Sequence, residues 1–146
     1  MGEPGEQETG KRRRTPVVLV VEDDVNCRDA IRETLKTAGY IVLEASDGAS
    51  ALQILLADET PQPAVIVLDL WLPVMSGPEL LKVLRGYHRL SRIPVILTSA
   101  GPPYRSDVIA EATWLAKPFD GEQLLSLVRE CCAGAEASID TKRTAG

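Results

Sequence analysis

The sequence predicts a doubly wound α/β domain, a five-stranded parallel sheet with helices on both faces. Three observations predict it. Short unbroken aliphatic runs recur along the chain, at Val17–Val21, Ala64–Leu68 and Pro94–Thr98, as expected of strands buried on both faces. Stretches with apolar residues at helical spacing lie between them. The strand runs are followed by charged or hydroxyl side chains, at the sheet edge where parallel α/β folds gather their ligands.

Each element has a local cause. Val17–Val21 is the first strand. Asp24 caps a helix running to about Ala38, with Cys27, Ile31, Leu35 and Ala38 on one face and Gly39 as its stop. Tyr40–Glu44 is the second strand. Asp47-Gly48 opens a helix carrying Ala51, Leu52, Leu55 and Leu56, and Pro61 and Pro63 then break the chain. Ala64–Leu68 is the third strand, ending at Asp69. Ser76 and Glu79 have capping-box spacing, with Pro78 tolerated in the first turn of a helix reaching about Arg85. Pro94–Thr98 is the fourth strand, a short helix follows near Arg105–Glu111, and Thr113–Ala116 is the fifth strand. Asp120 and Gln123 form another capping pair, opening a last helix whose apolar face is Leu124, Leu127, Val128 and Cys131. The domain spans 16–132. Residues 1–15, polar and closed by Lys11-Arg12-Arg13-Arg14, read as a flexible, solvated tail, and 133–146 as a second tail of small residues.

Composition narrows the function. With 146 residues, 45% apolar and 25% charged, the chain can bury one core without staples. Its net charge is −5 and its aromatic content 4%, so neither a general nucleic-acid surface nor a base-stacking platform is expected. Cys27, Cys131 and Cys132 have no metal-ligand spacing and form no disulfide framework, which suits a reducing cytoplasm. No apolar run is long enough to cross a bilayer, so no membrane insertion is expected. His88, the single histidine, reads as a surface loop residue rather than a phosphate carrier, and Cys131 and Cys132 as packing for the last helix.

The strand ends carry the chemistry. Glu22-Asp23-Asp24 follows strand one, Asp69 strand three, Thr98-Ser99 closes strand four, and Lys117-Pro118 follows strand five. With the strand order 2-1-3-4-5, strands one and three are neighbours, and Glu22, Asp23 and Asp69 share one crevice. Three carboxylates so placed repel one another, and a hard cation with oxygen ligands, Mg²⁺ best of all, relieves this. A metal-bound aspartate beside a lysine is equipped to accept a phosphoryl group, with cation and ammonium neutralising the equatorial oxygens during transfer.

Four segments together resemble the receiver domain of bacterial two-component response regulators: Val18-Leu19-Val20-Val21-Glu22-Asp23-Asp24, Asp69-Leu70-Trp71-Leu72-Pro73-Val74-Met75-Ser76-Gly77, Pro94-Val95-Ile96-Leu97-Thr98-Ser99-Ala100 and Lys117-Pro118-Phe119. The resemblance covers about 16–132. It implies a flavodoxin-like sheet in the order 2-1-3-4-5 with five helices on two faces. It also implies that Asp69 is the phosphoacceptor, served by a histidine kinase or a histidine phosphotransfer protein. Mg²⁺ would be held by Asp23, Asp69 and the backbone carbonyl of Trp71, with Glu22 acting through water. Lys117 would pair with Asp69 and then with the phosphoryl group, across a cis Lys117–Pro118 bond. Ser99 falls at the switch-hydroxyl position and Trp114 at the switch aromatic, while Asp24 is a helix cap rather than a ligand. Phosphorylation would draw Ser99 toward a phosphoryl oxygen and let the ring at 114 turn inward, reshaping a surface read by an unknown downstream partner.

Departures from the family pattern concern the output side. Trp114 lacks the hydroxyl of a tyrosine. Gly101-Pro102-Pro103 is stiff, and the segment from Ser99 to Lys117 is short, so the helix within it is expected to be trimmed. Trp71 is bulky at the mouth of the acceptor, where it either shields the phosphoryl group or packs on the surface. The residues after 132 are too few for a helix-turn-helix module, so a stand-alone receiver is expected, with a fragment of a larger hybrid protein as the alternative. Such a domain is no enzyme beyond its own phosphorylation and dephosphorylation. An aspartyl phosphatase would need a second acid where Trp71 stands. A phosphorylation-independent interaction domain is the remaining alternative.

Overall fold

The computed structural model describes residues 15–101 and 112–145, with the side chains of the last helix described through residue 134. In chain order the elements are β1 (Val17–Val21), α1 (Val25–Thr37), β2 (Ile41–Ala45), α2 (Gly48–Leu56), β3 (Val65–Asp69), α3 (Gly77–Arg85), a 3₁₀ turn (Leu90–Arg92), β4 (Val95–Ser99), β5 (Thr113–Ala116) and α4 (Gly121–Ala145). All strands are parallel, in the order β2-β1-β3-β4-β5. The helix expected near 105–111, with Pro102 and Pro103 before it and its trimming, lies outside the described residues, so four α-helices are seen among the described residues against five predicted.

The unbroken apolar runs follow from burial on both sides. Along β1, Leu19 and Val21 face one cluster with Ile66, Leu68 and Leu97, covered by α2 and α3 through Ala51, Leu55, Leu80 and Leu84. Val18 and Val20 face the opposite cluster with Val65, Val67 and Ile96, covered by α1 and α4 through Ile31, Leu35, Leu124 and Val128. Each buried aliphatic side chain contributes on the order of 1.5–3 kcal/mol, and alternation along the strand divides that between two helical layers.

The helix starts are capped as the sequence predicts. Asp24 accepts from the N–H of Asn26 at 2.9 Å and of Cys27 at 3.5 Å. Asp47 accepts from Ser50 N–H at 2.7 Å. Ser76 and Glu79 form the full capping box, at 2.8 and 3.3 Å. Asp120 and Gln123 exchange reciprocal bonds of 2.9 and 2.8 Å. Such a cap contributes roughly 1 kcal/mol.

Three strands and the last helix differ from prediction in their bounds. β2, β3 and β4 each begin and end one residue later than their apolar runs suggest, and Asp69 and Ser99 are the last residues of their strands. A polar side chain at the end of a strand still joins the backbone ladder, as Asp69 does opposite Thr98. The last helix runs past 132 to Ala145. Ala133, Ala135 and Ala137 are strong helix formers, so the small residues read as a tail continue the helix instead.

Candidate functional site

The carboxyl edge of the sheet is built by short turns that leave strands and enter helices at once. Glu22 follows β1. Its N–H donates to the carbonyl of Ala45 in β2 at 3.1 Å, while its side chain is almost fully buried, 2% exposed. Both carboxylate oxygens are engaged. Oε1 accepts from Lys117 Nζ at 2.8 Å and Oε2 from the N–H of Asp24 at 3.1 Å, with the Cys27 thiol as a further partner. Burial alone would raise the carboxyl of Glu22, but the bond from Lys117 and the amide of Asp24 outweigh it and hold the group below its ordinary value. Asp23, next along the chain, is exposed.

Asp69 is buried at the end of β3. Burial and then the charge of Glu22 push its carboxyl up to about 6, against the opposing pull of Lys117 and a bond from the N–H of Trp71. The nearest carboxylate oxygens of Glu22, Asp23 and Asp69 all lie within 4.8 Å of one another. An all-oxygen donor set of this kind, with two side chains buried and one open to solvent, fits a hard divalent cation that keeps several of its waters.

Lys117 enters from the end of β5. Its backbone N–H donates to the carbonyl of Ser99 at 2.8 Å, and the Lys117–Pro118 peptide is cis. Its ammonium is hydrogen-bonded to Glu22 and lies 3.6 Å from Asp69 Oδ1. Burial lowers the amine, but the bond to Glu22 and the charge of Asp69 raise it further, so the ammonium stays charged. The sequence expectation pairs this lysine with Asp69. In the fold its hydrogen bond goes to Glu22, the more deeply buried carboxylate, and Asp69 is the longer partner.

Ser99 is buried at the end of β4, where its Oγ accepts from the N–H of Gly101 at 3.1 Å. Trp114 sits in β5, half-buried against the cluster beneath α2 and α3. Trp71 is 59% exposed and Val74 82% exposed on the loop between β3 and α3. That loop is tightly seated. A Cβ on Gly48 would come within 2.5 Å of the Met75 carbonyl, and one on Gly77 within 2.8 Å of the Asp69 carbonyl. Val74 takes a left-handed φ of 66° between these two contacts, an uncommon conformation for a β-branched residue. His88 is exposed, as predicted.

The response regulator receiver domain model matches residues 18–129. The chain belongs to the response regulator receiver family. This receiver domain is 36% identical over 117 residues to the sensor histidine kinase TmoS of Ectopseudomonas mendocina, covering 77% of the chain and 12% of TmoS. It is 38% identical over 117 residues to the transcriptional regulatory protein KdpE of Mycobacterium tuberculosis, covering 77% of the chain and 49% of KdpE. The receiver domain therefore spans half or less of these curated relatives. Among solved structures, the receiver domain of a sensor histidine kinase from Pseudomonas aeruginosa PAO1 superimposes with a TM-score of 0.71 at 25% identity, covering 82% of this chain and 99% of that one, and is described with a magnesium ion coordinated in its active site cleft. No helix among the described residues is long and apolar enough to cross a membrane.

Two supports of the edge were not legible as site residues. Cys27 reads from spacing as part of the apolar face of α1, yet its thiol also meets Glu22, and burial followed by that carboxylate pushes the thiol up to about 11. Arg28 carries no motif, yet its guanidinium Nη1 donates to the backbone carbonyl of Glu22 at 2.8 Å. Helical phase was the available signal, because residues 27 and 28 sit in the first turn after the acidic run.

Proposed function

We propose that this receiver accepts a phosphoryl group on Asp69 in a phosphorelay and passes the change to a downstream protein through its output surface. The observation that carries the proposal is the convergence of three carboxylates and one ammonium at a single sheet edge. Asp69 Oδ attacks phosphorus, the bond to the donor's histidine nitrogen or to a small acyl leaving group breaks, and Lys117 moves from Glu22 toward the new phosphoryl oxygens. Asp23, Asp69 and the carbonyl of Trp71 would hold Mg²⁺, with Glu22 acting through water. Bound there, the cation supplies positive charge to the transferring oxygens. Ser99 Oγ would bond one phosphoryl oxygen, and Trp114 would report that bond to the surface beyond β5.

The donor class is a histidine kinase or a histidine phosphotransfer protein, supported by relatives named as a sensor histidine kinase and as a transcriptional regulatory protein. Cys27, Cys131 and Cys132 are thiols rather than disulfides, which supports a cytoplasmic setting, and the acidic balance leaves proteins rather than nucleic acid as its direct partners. Its activity is confined to its own phosphorylation and dephosphorylation.

The test is incubation with acetyl phosphate and Mg²⁺ followed by intact mass. One added phosphoryl group, absent in Asp69→Asn and absent without Mg²⁺, is the expected result. An unmodified wild-type chain would favour a phosphorylation-independent interaction domain.

A further inference from the structure

We propose that Arg28 is a positioning residue for Asp23, the one solvent-exposed carboxylate of the cluster, and so sets the affinity of the site for its cation. The inference rests on the metal role given to Asp23 above. Asp23 belongs to no strand or helix; β1 ends at Val21 and α1 begins at Val25. Its direction therefore depends on the two peptide planes that flank it.

Both planes are held. The plane before Asp23 contains the carbonyl of Glu22, which accepts from Arg28 Nη1 at 2.8 Å. The plane after Asp23 contains the N–H of Asp24, which donates to Glu22 Oε2 at 3.1 Å. The second bond comes from within the acidic run. The first comes from a cation on α1 and is the only one of the two that a remote side chain controls.

The guanidinium is itself located. Its Nε lies 3.4 Å from Glu44 Oε1, its side chain is only 18% exposed, and Glu44 belongs to β2. Arg32, one turn along α1, also meets Glu44 Oε1 at 3.4 Å and holds Asp29 at 2.8 Å. Arg28 thus spans from the neighbouring strand to the peptide that aims Asp23. A planar fork suits this, since one edge can hold a carbonyl while Nε faces a carboxylate. Residues that orient the ligands of a metal typically alter its affinity ten- to a hundredfold when lost.

The test compares wild type, Arg28→Met, Arg28→Lys and Glu44→Gln by two readouts. The first is Mg²⁺ titration followed by tryptophan fluorescence. The second is the amide resonances of Asp23 and Asp24 without metal. Arg28→Met keeps the apolar stem and removes every donor. It is expected to weaken Mg²⁺ binding about tenfold and to shift or broaden both amides. Arg28→Lys restores one donor and should recover most of the affinity, and Glu44→Gln should stay within about twofold because the bond to the Glu22 carbonyl survives. Arg28→Leu, equally without donors, replaces Arg28→Met should the latter not fold. Wild-type amides and wild-type affinity in a folded Arg28→Met or Arg28→Leu would overturn the inference. A wild type that binds no Mg²⁺ would overturn the metal reading, and disturbed amides in Arg28→Met would still establish the positioning of Asp23.

Discussion

The floor and the lip of the acidic crevice are built on opposite terms. On the floor, Glu22, Asp69, Thr98 and Ser99 are the buried polar residues, and among the described residues no buried side-chain nitrogen or oxygen is left without a hydrogen-bond partner. On the lip, Asp23, Trp71 and Val74 stand in solvent. Buried charge is costly unless paired, so each floor residue is tied to the stability of the fold. Lip side chains are largely solvated, so their substitution need not unfold the chain. Substitution on the floor therefore moves stability, up or down, whereas substitution on the lip need not.

Lys117→Met should break this contrast most sharply from the floor side. It leaves Glu22 and Asp69 facing each other without a cation, which should cost roughly 3 kcal/mol of stability at neutral pH. Urea unfolding checks the loss, and a change below about 1 kcal/mol would mean that the floor does not depend on its ammonium.

Asp69→Asn acts on the same floor with the opposite sign. The carboxyl of Asp69 is raised from an ordinary 3.8 to about 6 by burial and by Glu22. A raised carboxyl means that protonation favours the fold. The associated stability is fully present below the unfolded value and is lost as pH rises through about 6. Metal-free Asp69→Asn should therefore exceed wild type by roughly 1–3 kcal/mol at pH near 7.5, with the difference shrinking as pH falls from about 6 toward 4. Parallel melting curves across that range test it, and a difference independent of pH would remove Asp69 as its source.

The smallest effect belongs to the lip. Trp71→Ala should change stability by less than about 0.5 kcal/mol. It should shorten the lifetime of the phosphorylated chain severalfold if the indole keeps water from the acyl phosphate. An unchanged or longer lifetime would assign Trp71 to surface packing and leave the lip without influence on hydrolysis.

The floor was far more legible in sequence than its supports. Hydrophobic runs bounded by Glu22, Asp69, Ser99 and Lys117 fix where strands end, and parallel topology then gathers those ends. Spacing cannot decide which of two carboxylates receives the hydrogen bond of Lys117, because that depends on relative burial across three strands. Arg28 escaped for a related reason. Its role is a side-chain bond to a backbone carbonyl, and backbone acceptors leave no mark in a sequence. The last helix was cut short because small residues serve equally well in tails and in helices.

Residues 22–28 are at once the exit from β1, the cap of α1 and the source of two of the three clustered carboxylates, with Asp24 turning the chain into α1. A single inserted or deleted amino acid would rotate Arg28 and Cys27 away from Glu22 by a hundred degrees or so of helical phase, whereas the proline-bounded connection at Pro61–Pro63 leads into β3 at the opposite edge of the sheet, where Ala64 N–H donates to the carbonyl of Val17. For anyone cutting, permuting or grafting this domain, the connection between α2 and β3 is the place to open the chain, and the one between β1 and α1 is the place to leave alone.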